Sequence, residues 1–477
     1  MAILRFAYAK IVLAVACVAV FLLTSKHLSE WSLRTSLDIA SLRRPYELAH
    51  ANSSHSIDSQ PPTPSGYNVC NAYPDTSNIL VVVKTGATES YAKIPTQLVT
   101  VLKCKSDFLI FSDMEQNIAG YHVYDSLDTV IPEVKKGNRD FDLYHRQQAC
   151  IMDQQSCNDN GKPGQAFEGW ILDKYKNVHI AEKTYQLRPN YDWYLFIDAD
   201  TYVLWNNLVR WLSKLPDPAK TMHYLGSMSL LNDFRFAHGG SGYILSQATM
   251  REFVGNQSGI ANQYDMTAKK SCCGDYVLAV ALNETIEVGV QSSWPTINGE
   301  KPYTIPYGPR EWCHPLEFEK GFYETLGIAQ TVLRFKDIYH KFVAPKLITR
   351  RDDWDNLSED VVYLDPHHGE RFPPWQRKKD RTMKLMQQIH VLAVELDAYK
   401  SFDHCRKLCE SLGHCFQFSY HAGACVYNKS FKFGKPAMKA NKDENKMISG
   451  WNVKRIEAWV KRQGRCSEPV WPQTHAW

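Results

Sequence analysis

Asp192-Trp193-Tyr194-Leu195-Phe196-Ile197-Asp198-Ala199-Asp200-Thr201-Tyr202-Val203 is the stretch on which the reading of this chain turns. Trp193 to Ile197 form a short, continuously apolar run, the pattern of a strand buried on both faces of a sheet. The run leads directly into two acids separated by one small residue, and apolar character resumes at Thr201-Tyr202-Val203. Leu204, Leu208, Trp211 and Leu215 then recur at helical spacing. Two acids just past the carboxyl end of a buried strand stand where open α/β sheets place their ligands.

Working upstream, Ile79-Leu80-Val81-Val82-Val83 is a second buried run, residues 88–103 suit a helix limited by Pro95, and Asp107-Phe108-Leu109-Ile110-Phe111 is a third run. Strand, helix, strand is the unit that opens a doubly wound sheet. Between these runs and Asp192, residues 167–187 carry Ile171, Tyr175, Val178, Ala181 and Tyr185 on one helical face until Pro189 ends it. The expected fold is therefore α/β and Rossmann-like, with order beginning at Asn78 and a domain spanning residues 78–350.

The 477 residues, 44% of them hydrophobic, suffice for one large core and a smaller module. A net charge of +4 gives no global field that argues for nucleic acid or an anionic membrane surface, so partners have to be sought locally. Arg5 and Lys10 flank an apolar run from Ile11 to Leu23, which reads as an uncleaved signal anchor within residues 1–24; a cleaved signal peptide is the alternative. Residues 25–77, ending in Gln60-Pro61-Pro62-Thr63-Pro64-Ser65-Gly66, read as a stem. Cys17 lies in the apolar run, which leaves twelve of the thirteen cysteines downstream, as expected for disulfides in an oxidising lumen. Asn-x-Ser/Thr triplets at Asn52, Asn256, Asn283, Asn356 and Asn428 point to the same compartment. Residues 351–395, basic from Arg371 to Lys384, read as a solvated linker, and residues 396–470 as a separate module around Cys405, Cys409, Cys415 and Cys425.

Asp-x-Asp occurs three times, at Asp140-Phe141-Asp142, Asp198-Ala199-Asp200 and Asp353-Trp354-Asp355, and only the second follows a buried strand. Hard carboxylates so placed can hold an octahedral divalent cation together with diphosphate oxygens. Acids that cap the next helix are the alternative.

The run from Asp192 to Val203 with Leu208 to Leu215 resembles the metal-binding region of the fringe and core 1 β1,3-galactosyltransferase family. Val81-Val82-Val83-Lys84-Thr85 resembles that family's first donor-side strand and turn, Phe111-Ser112-Asp113 its second, and Gly239-Gly240-Ser241-Gly242-Tyr243-Ile244-Leu245-Ser246 its Gly-Gly-x-Gly segment. The resemblance covers roughly residues 78–340. It implies a GT-A-like domain in a type II Golgi membrane protein, Mn²⁺ held by Asp198, Asp200 and His314 of Trp312-Cys313-His314-Pro315-Leu316, and a UDP-sugar donor on Lys84, Thr85 and Asp113. The same resemblance makes Asp275 of Gly274-Asp275-Tyr276-Val277 the base that activates a glycan or glycoprotein acceptor, with Gly274 where the family has an acid. The implied reaction is inverting β1,3 transfer, galactose onto O-linked N-acetylgalactosamine first, with N-acetylglucosamine transfer of fringe type the alternative.

Plain structural roles stand beside these assignments: Asp275 as a helix N-cap, Gly239 and Gly240 as a turn or a close backbone approach to the donor, and Trp294, Tyr303, Tyr307 and Trp312 as core or as a sugar platform. The adjacent Cys272 and Cys273 are expected to pair elsewhere, because neighbouring cysteines are poorly placed to bond each other. The C-terminal cluster resembles an apple or PAN module, which implies Cys405–Cys425 nested around Cys409–Cys415, with Cys466 bonded outside the cluster. A non-catalytic glycan-binding protein on the same fold is the rival class, and a two-carboxylate glycosidase the third.

Overall fold

Side chains alternate along a strand, so the Ile79–Val83 run sends Leu80 and Val82 to one face and Ile79, Val81 and Val83 to the other. Both sets are buried, each in its own hydrophobic cluster. The computed structural model describes residue 70 and residues 73–149, 166–301, 303–308, 318–319, 333–367, 369–387, 392–440, 445–464, 466 and 469–472. In it these residues form β1 (Ile79–Lys84), followed by β2 (Phe108–Ser112), β3 (Gln116–Ile118), β4 (Tyr121–Asp125), β5 (Trp193–Asp198), β6 (Tyr224–Gly226), β7 (Tyr243–Ser246) and β8 (Gln291–Ser292). They make one eight-stranded sheet in the order β8-β6-β7-β5-β1-β2-β4-β3. The centre is parallel, β5 on β1 on β2 on β4, while β7 runs antiparallel to β5 and β6.

Helices cover both faces. Ile94 of α1 (Ser90–Val99) and Leu208, Trp211 and Leu212 of α4 (Trp205–Leu212) pack with Val81, Val83, Leu195 and Ile197. On the other face, Val178 and Ala181 of α3 (Lys176–Leu187) and Val277, Leu278 and Leu282 of α5 (Gly274–Ile286) pack with Leu80, Val82, Tyr194 and Phe196. The chain is thus an α/β protein of Rossmann-like layering over this region. The helix expected across residues 167–187 is two, α2 (Ala166–Asp173) and α3. At the break, Lys174 pairs with Asp140 at 2.8 Å and the Tyr175 hydroxyl donates to Asp140 Oδ2 at 2.7 Å, while Tyr175 itself stays buried.

The C-terminal half is organised differently from the expected linker and separate module. Residues 351–364 supply two strands, β9 (Arg351–Asp352) and β10 (Val361–Leu364), to a five-stranded antiparallel sheet completed by β11 (Gln417–His421), β12 (Ala424–Asn428) and β13 (Ile448–Trp451), in the order β9-β13-β11-β12-β10. Between β10 and β11 run α6 (Pro374–Lys379), α7 (Thr382–Leu385) and α8 (Phe402–Ser411), and α9 (Val453–Gln463) follows β13. Ile305, Tyr307, Phe335 and Tyr339 share one core with Phe416, Phe431, Trp451, Ile456 and Trp459, so apolar burial joins the two sheets instead of a solvated spacer. Residues 68–477 accordingly form a single compact unit.

Cys405–Cys425 and Cys409–Cys415 are bonded as the apple or PAN resemblance implies, and Cys466 is bonded to a cysteine outside the described residues. Cys70–Cys104 ties the segment ahead of β1 to the turn after α1. Two of the sequons are spent on structure. Asn356 is fully buried with its amide donating to Phe418 and Gly450 carbonyls, and Asn428 is buried with Oδ1 accepting from the Glu359 and Asp360 amides; neither leaves room for a glycan. Asn256 and Asn283 are exposed. The expected anchor, most of the stem, Asn52 and His314 lie outside the described residues, and among those described no helix is long and apolar enough to cross a membrane.

Asp107, just ahead of β2, fastens the α3–β5 turn. Arg188 Nε donates to it at 2.7 Å and the Tyr191 hydroxyl at 2.9 Å. Burial pushes the Asp107 carboxyl up, but these donors and the charges of Arg188 and Lys105 outweigh it and hold it below the ordinary carboxylate range. A carboxyl so depressed stabilises the fold at pH values above its unfolded value of about 3.9, and that contribution is lost as pH falls through the folded value. Asp107→Asn should therefore cost about 1–3 kcal/mol at pH 7, read from urea unfolding, with the gap to the parent closing as the pH drops below about 4.

Candidate active site

Strand register builds the site. β1 and β5 pair in parallel with Lys84 opposite Asp198, so an ammonium and a carboxylate leave the sheet side by side at its carboxyl end. Lys84 Nζ lies 3.2 Å from Asp198 Oδ1 and 2.5 Å from Asp173 Oδ2 at the end of α2. Lys176, the first residue of α3 and fully buried, donates to the Thr85 carbonyl at 2.9 Å. Its Nζ stands 3.3 Å from Asp113 Oδ2, without hydrogen-bond geometry, and 3.8 Å from Asp173 Oδ1. Charges therefore alternate through Asp113, Lys176, Asp173, Lys84 and Asp198, two cations among three acids.

Burial opposes the charges of Lys84, Asp173 and Asp198, and the neighbours overcome it at the first two but not at the third. The Lys84 ammonium is pushed down by burial yet held well above its ordinary value by Asp173 and Asp198. The Asp173 carboxyl is pushed up by burial but held low by Lys84 and Lys176. Asp198 is raised: burial is the largest cause, Lys84 opposes it, and the nearby Asp173 and Asp200 add to it.

The second acid of the turn has its own cation. Lys93 of α1 places Nζ 3.1 Å from Asp200 Oδ2 and 2.5 Å from Glu89. Gln97, one turn further along α1 and buried, donates from Nε2 to the Ala199 and Thr201 carbonyls at 2.9 and 2.7 Å. The Asp-x-Asp turn is thus pinned from below by an amide while its carboxylates face ammonium groups.

Asp275 reaches the same end of the sheet from α5. The N-cap of α5 is Cys273, so Asp275 is a residue of the first turn and not the cap. Its Oδ2 accepts from Gly239 N at 2.8 Å and Oδ1 from Tyr276 N at 2.8 Å. A side chain at Gly239 would put Cβ 3.3 Å from Asp275 Oδ2. Gly240 takes part through its carbonyl, which accepts from Thr201 Oγ1 at 2.8 Å, and Gly242, at φ +80°, lets the segment back closely onto Ile197 of β5. Lys84, Asp198, Gly239, Phe196, Ile197, Ile180 and Tyr243 line one cavity of about 10 Å³, room for a single water.

The structure separates the expected residues. Lys84, Asp198, Asp200, Gly239, Gly240 and Asp275 converge; Thr85 and Asp113 lie beside them but buried, the latter accepting from Ala87 N at 2.6 Å. His314 and Trp312 lie outside the described residues. Of the expected sugar platform, Tyr307 is core, stacked on Phe431 at 5.6 Å, whereas Trp294 is 38% exposed. Ser293 N donates to Gly226 O, and Gly299 packs on the His238 ring, which sets the 293–299 loop against the Gly239 turn.

Cys272 and Cys273 bond each other, against the expectation from their adjacency. Their Cα atoms are 3.8 Å apart across a trans peptide, closer than most disulfide pairs, and the bond closes a small ring immediately ahead of α5. Gly274 follows for a steric reason: a Cβ there would lie 2.7 Å from the Asp173 carbonyl and 3.1 Å from Asn177 Oδ1. The other two Asp-x-Asp triplets are structural, Asp140 held by Lys174 and Tyr175, and Asp355 accepting from Leu357 N.

Asp173, Lys176, Lys93 and Gln97 were not singled out from the sequence. Asp173 and Lys176 stand three residues apart among sheet-facing apolar residues, a signal that a helical reading for apolar spacing passes over. The chain matches no family model, and no curated protein matches it significantly. Among the described residues no group of three or more His, Cys, Asp or Glu is disposed to hold a metal ion; Asp198 and Asp200 supply two carboxylates, each already facing a cation.

Gln97→Ala would leave the Ala199 and Thr201 carbonyls without their donor. The expected loss is about 1–3 kcal/mol in urea unfolding, and a neutral result would mean that water replaces the amide.

Proposed function

We propose that this chain is an inverting, metal-dependent glycosyltransferase with a GT-A-like domain, membrane-anchored in the Golgi, that moves a hexose from a UDP-sugar onto a glycan acceptor. Galactose onto O-linked N-acetylgalactosamine is the first choice of donor and acceptor. One observation carries the reading: Asp198 and Gly239 line the same cavity, and the amide of Gly239 holds the carboxylate of Asp275 at 2.8 Å. A turn suited to a cation and a carboxylate suited to a base thus stand at one end of the sheet, with one glycine between them.

The residues divide the work by their chemistry. Asp198 and Asp200, with His314 as the third ligand, would hold a divalent cation such as Mn²⁺, which supplies neutralisation of the leaving diphosphate. Two carboxylates that already attract Lys84 and Lys93 fit such a cation. Asp275 takes the proton of the acceptor hydroxyl as that oxygen bonds the anomeric carbon and the bond from carbon to the UDP oxygen breaks, a single displacement with inversion. The amides of Gly239 and Tyr276 orient its two oxygens and leave further lone pairs for the proton. Lys84 brings a permanent positive charge to the donor side. Exposed Trp294, on the loop packed against the Gly239 turn, offers an apolar face to a sugar ring. No side chain fits at 274, so acceptor contacts fall to other residues.

UDP release from UDP-galactose and UDP-N-acetylglucosamine, in Mn²⁺ and in EDTA, with O-glycan acceptors, tests the proposal. Acceptor-stimulated turnover that needs Mn²⁺ and falls about 10²–10⁴-fold in Asp275→Asn is expected. Turnover unchanged in that variant would remove Asp275 as the base, and glycan binding without turnover by any donor would favour a lectin.

A further inference from the structure

The segment from Arg371 to Met386 holds six basic residues, Arg371, Arg377, Lys378, Lys379, Arg381 and Lys384, against one acid, Asp380. Its position is fixed. Phe372 and Thr382 are buried against the C-terminal sheet, and Arg381 N donates to the Val362 carbonyl of β10. Asp380 is turned inward, its Oδ1 accepting from the Leu364 and Thr382 amides. The only negative charge is therefore spent on the fold, and all six cations are exposed.

One feature distinguishes this surface from an ordinary solvated basic face. Arg371, Arg377, Lys378, Arg381 and Lys384 have no ion-pair partner among the described residues, Arg381 being turned toward the Tyr427 hydroxyl, but unpaired cations alone are common on a surface. Large apolar side chains stand out among the charges: Trp375 is 45% exposed, Met383 52% and Met386 51%. On α6, Trp375 shares a face with Lys378 and Lys379, at spacings of three and four, and Lys379 Nζ lies 5.8 Å from the Trp375 ring.

We propose that this face, α6 and α7 with their flanks, docks on an anionic lipid surface. Cations reach lipid phosphates and carboxylates, while an exposed Trp and two Met side chains enter the interfacial layer, the combination that holds peripheral segments at charged bilayers. A soluble polyanionic glycan would satisfy the cations and leave Trp375, Met383 and Met386 without purpose. No residue of the candidate active site takes part, and with the luminal placement of the proposed function the surface met is the luminal leaflet.

Amide hydrogen exchange of the full chain, alone and with vesicles of phosphatidylcholine or of phosphatidylcholine with phosphatidylserine, tests it. Residues 374–386 should exchange about fivefold more slowly, or slower still, on the anionic vesicles only. High salt, Arg377→Glu with Lys378→Glu, or Trp375→Ala should each reduce that protection; all three residues are exposed, so the fold is expected to survive. Equal exchange with and without vesicles, protection on neutral vesicles that the charge reversal leaves intact, or protection by a heparin oligosaccharide but not by vesicles would overturn the proposal.

Discussion

A lysine ammonium shared by two carboxylates sits where the main sheet ends. Lys84 emerges from the carboxyl end of β1 with Asp198 beside it by strand register and Asp173 delivered from α2. Lys176 and Asp113 are fully buried, and there the loss of one charge would leave the other uncompensated, whereas Lys84, Asp173 and Asp198 are only part-buried. The row continues through Lys176 to Asp113, so β1, β2, β5 and the α2–α3 junction are bound to one another at the end of the sheet where a ligand would be met. The apolar interior places the strands, and this polar row sets how their ends are disposed.

The same constraint explains the glycines nearby. α5 approaches the α2–α3 junction so closely that position 274 has no space for a side chain, and the Gly239 turn comes close enough for its amide to bind Asp275. The Cys272–Cys273 bond fixes the chain just before that approach. Asp275 is consequently oriented by backbone from two sides, which suits a group that must accept a proton from a defined direction.

Much of the first domain was legible because its strands are short apolar runs bounded by polar residues. Ile79–Val83, Phe108–Phe111 and Trp193–Ile197 are all strands, and the Asp-x-Asp that follows a buried strand is the one of three that stands at the carboxyl end of the central strands. The antiparallel β7, lying between β5 and β6, carries no mark in its sequence that tells its direction. Charged pairs such as Asp173 with Lys84 are 89 residues apart and visible only once the register is known. The basic stretch around Arg377 hid the strands before it: Arg351–Asp352 and Val361–Leu364 are too short to stand out, and they become strands by pairing with β13 and β12 from far along the chain. Adjacent Cys272 and Cys273 misled for a related reason, since the general preference for longer Cα separations does not forbid a local ring.

The central claim is that the end of the sheet beyond Asp198 and Asp200 is a cation-dependent nucleotide site, and titration calorimetry of UDP addresses it without needing an acceptor. UDP should bind the purified chain in Mn²⁺, lose most of its affinity in EDTA, and lose it equally in Asp198→Asn and Asp200→Asn with the folds intact by circular dichroism. UDP that binds as tightly in EDTA as in Mn²⁺, or binds the two variants as it binds the parent chain, would contradict it.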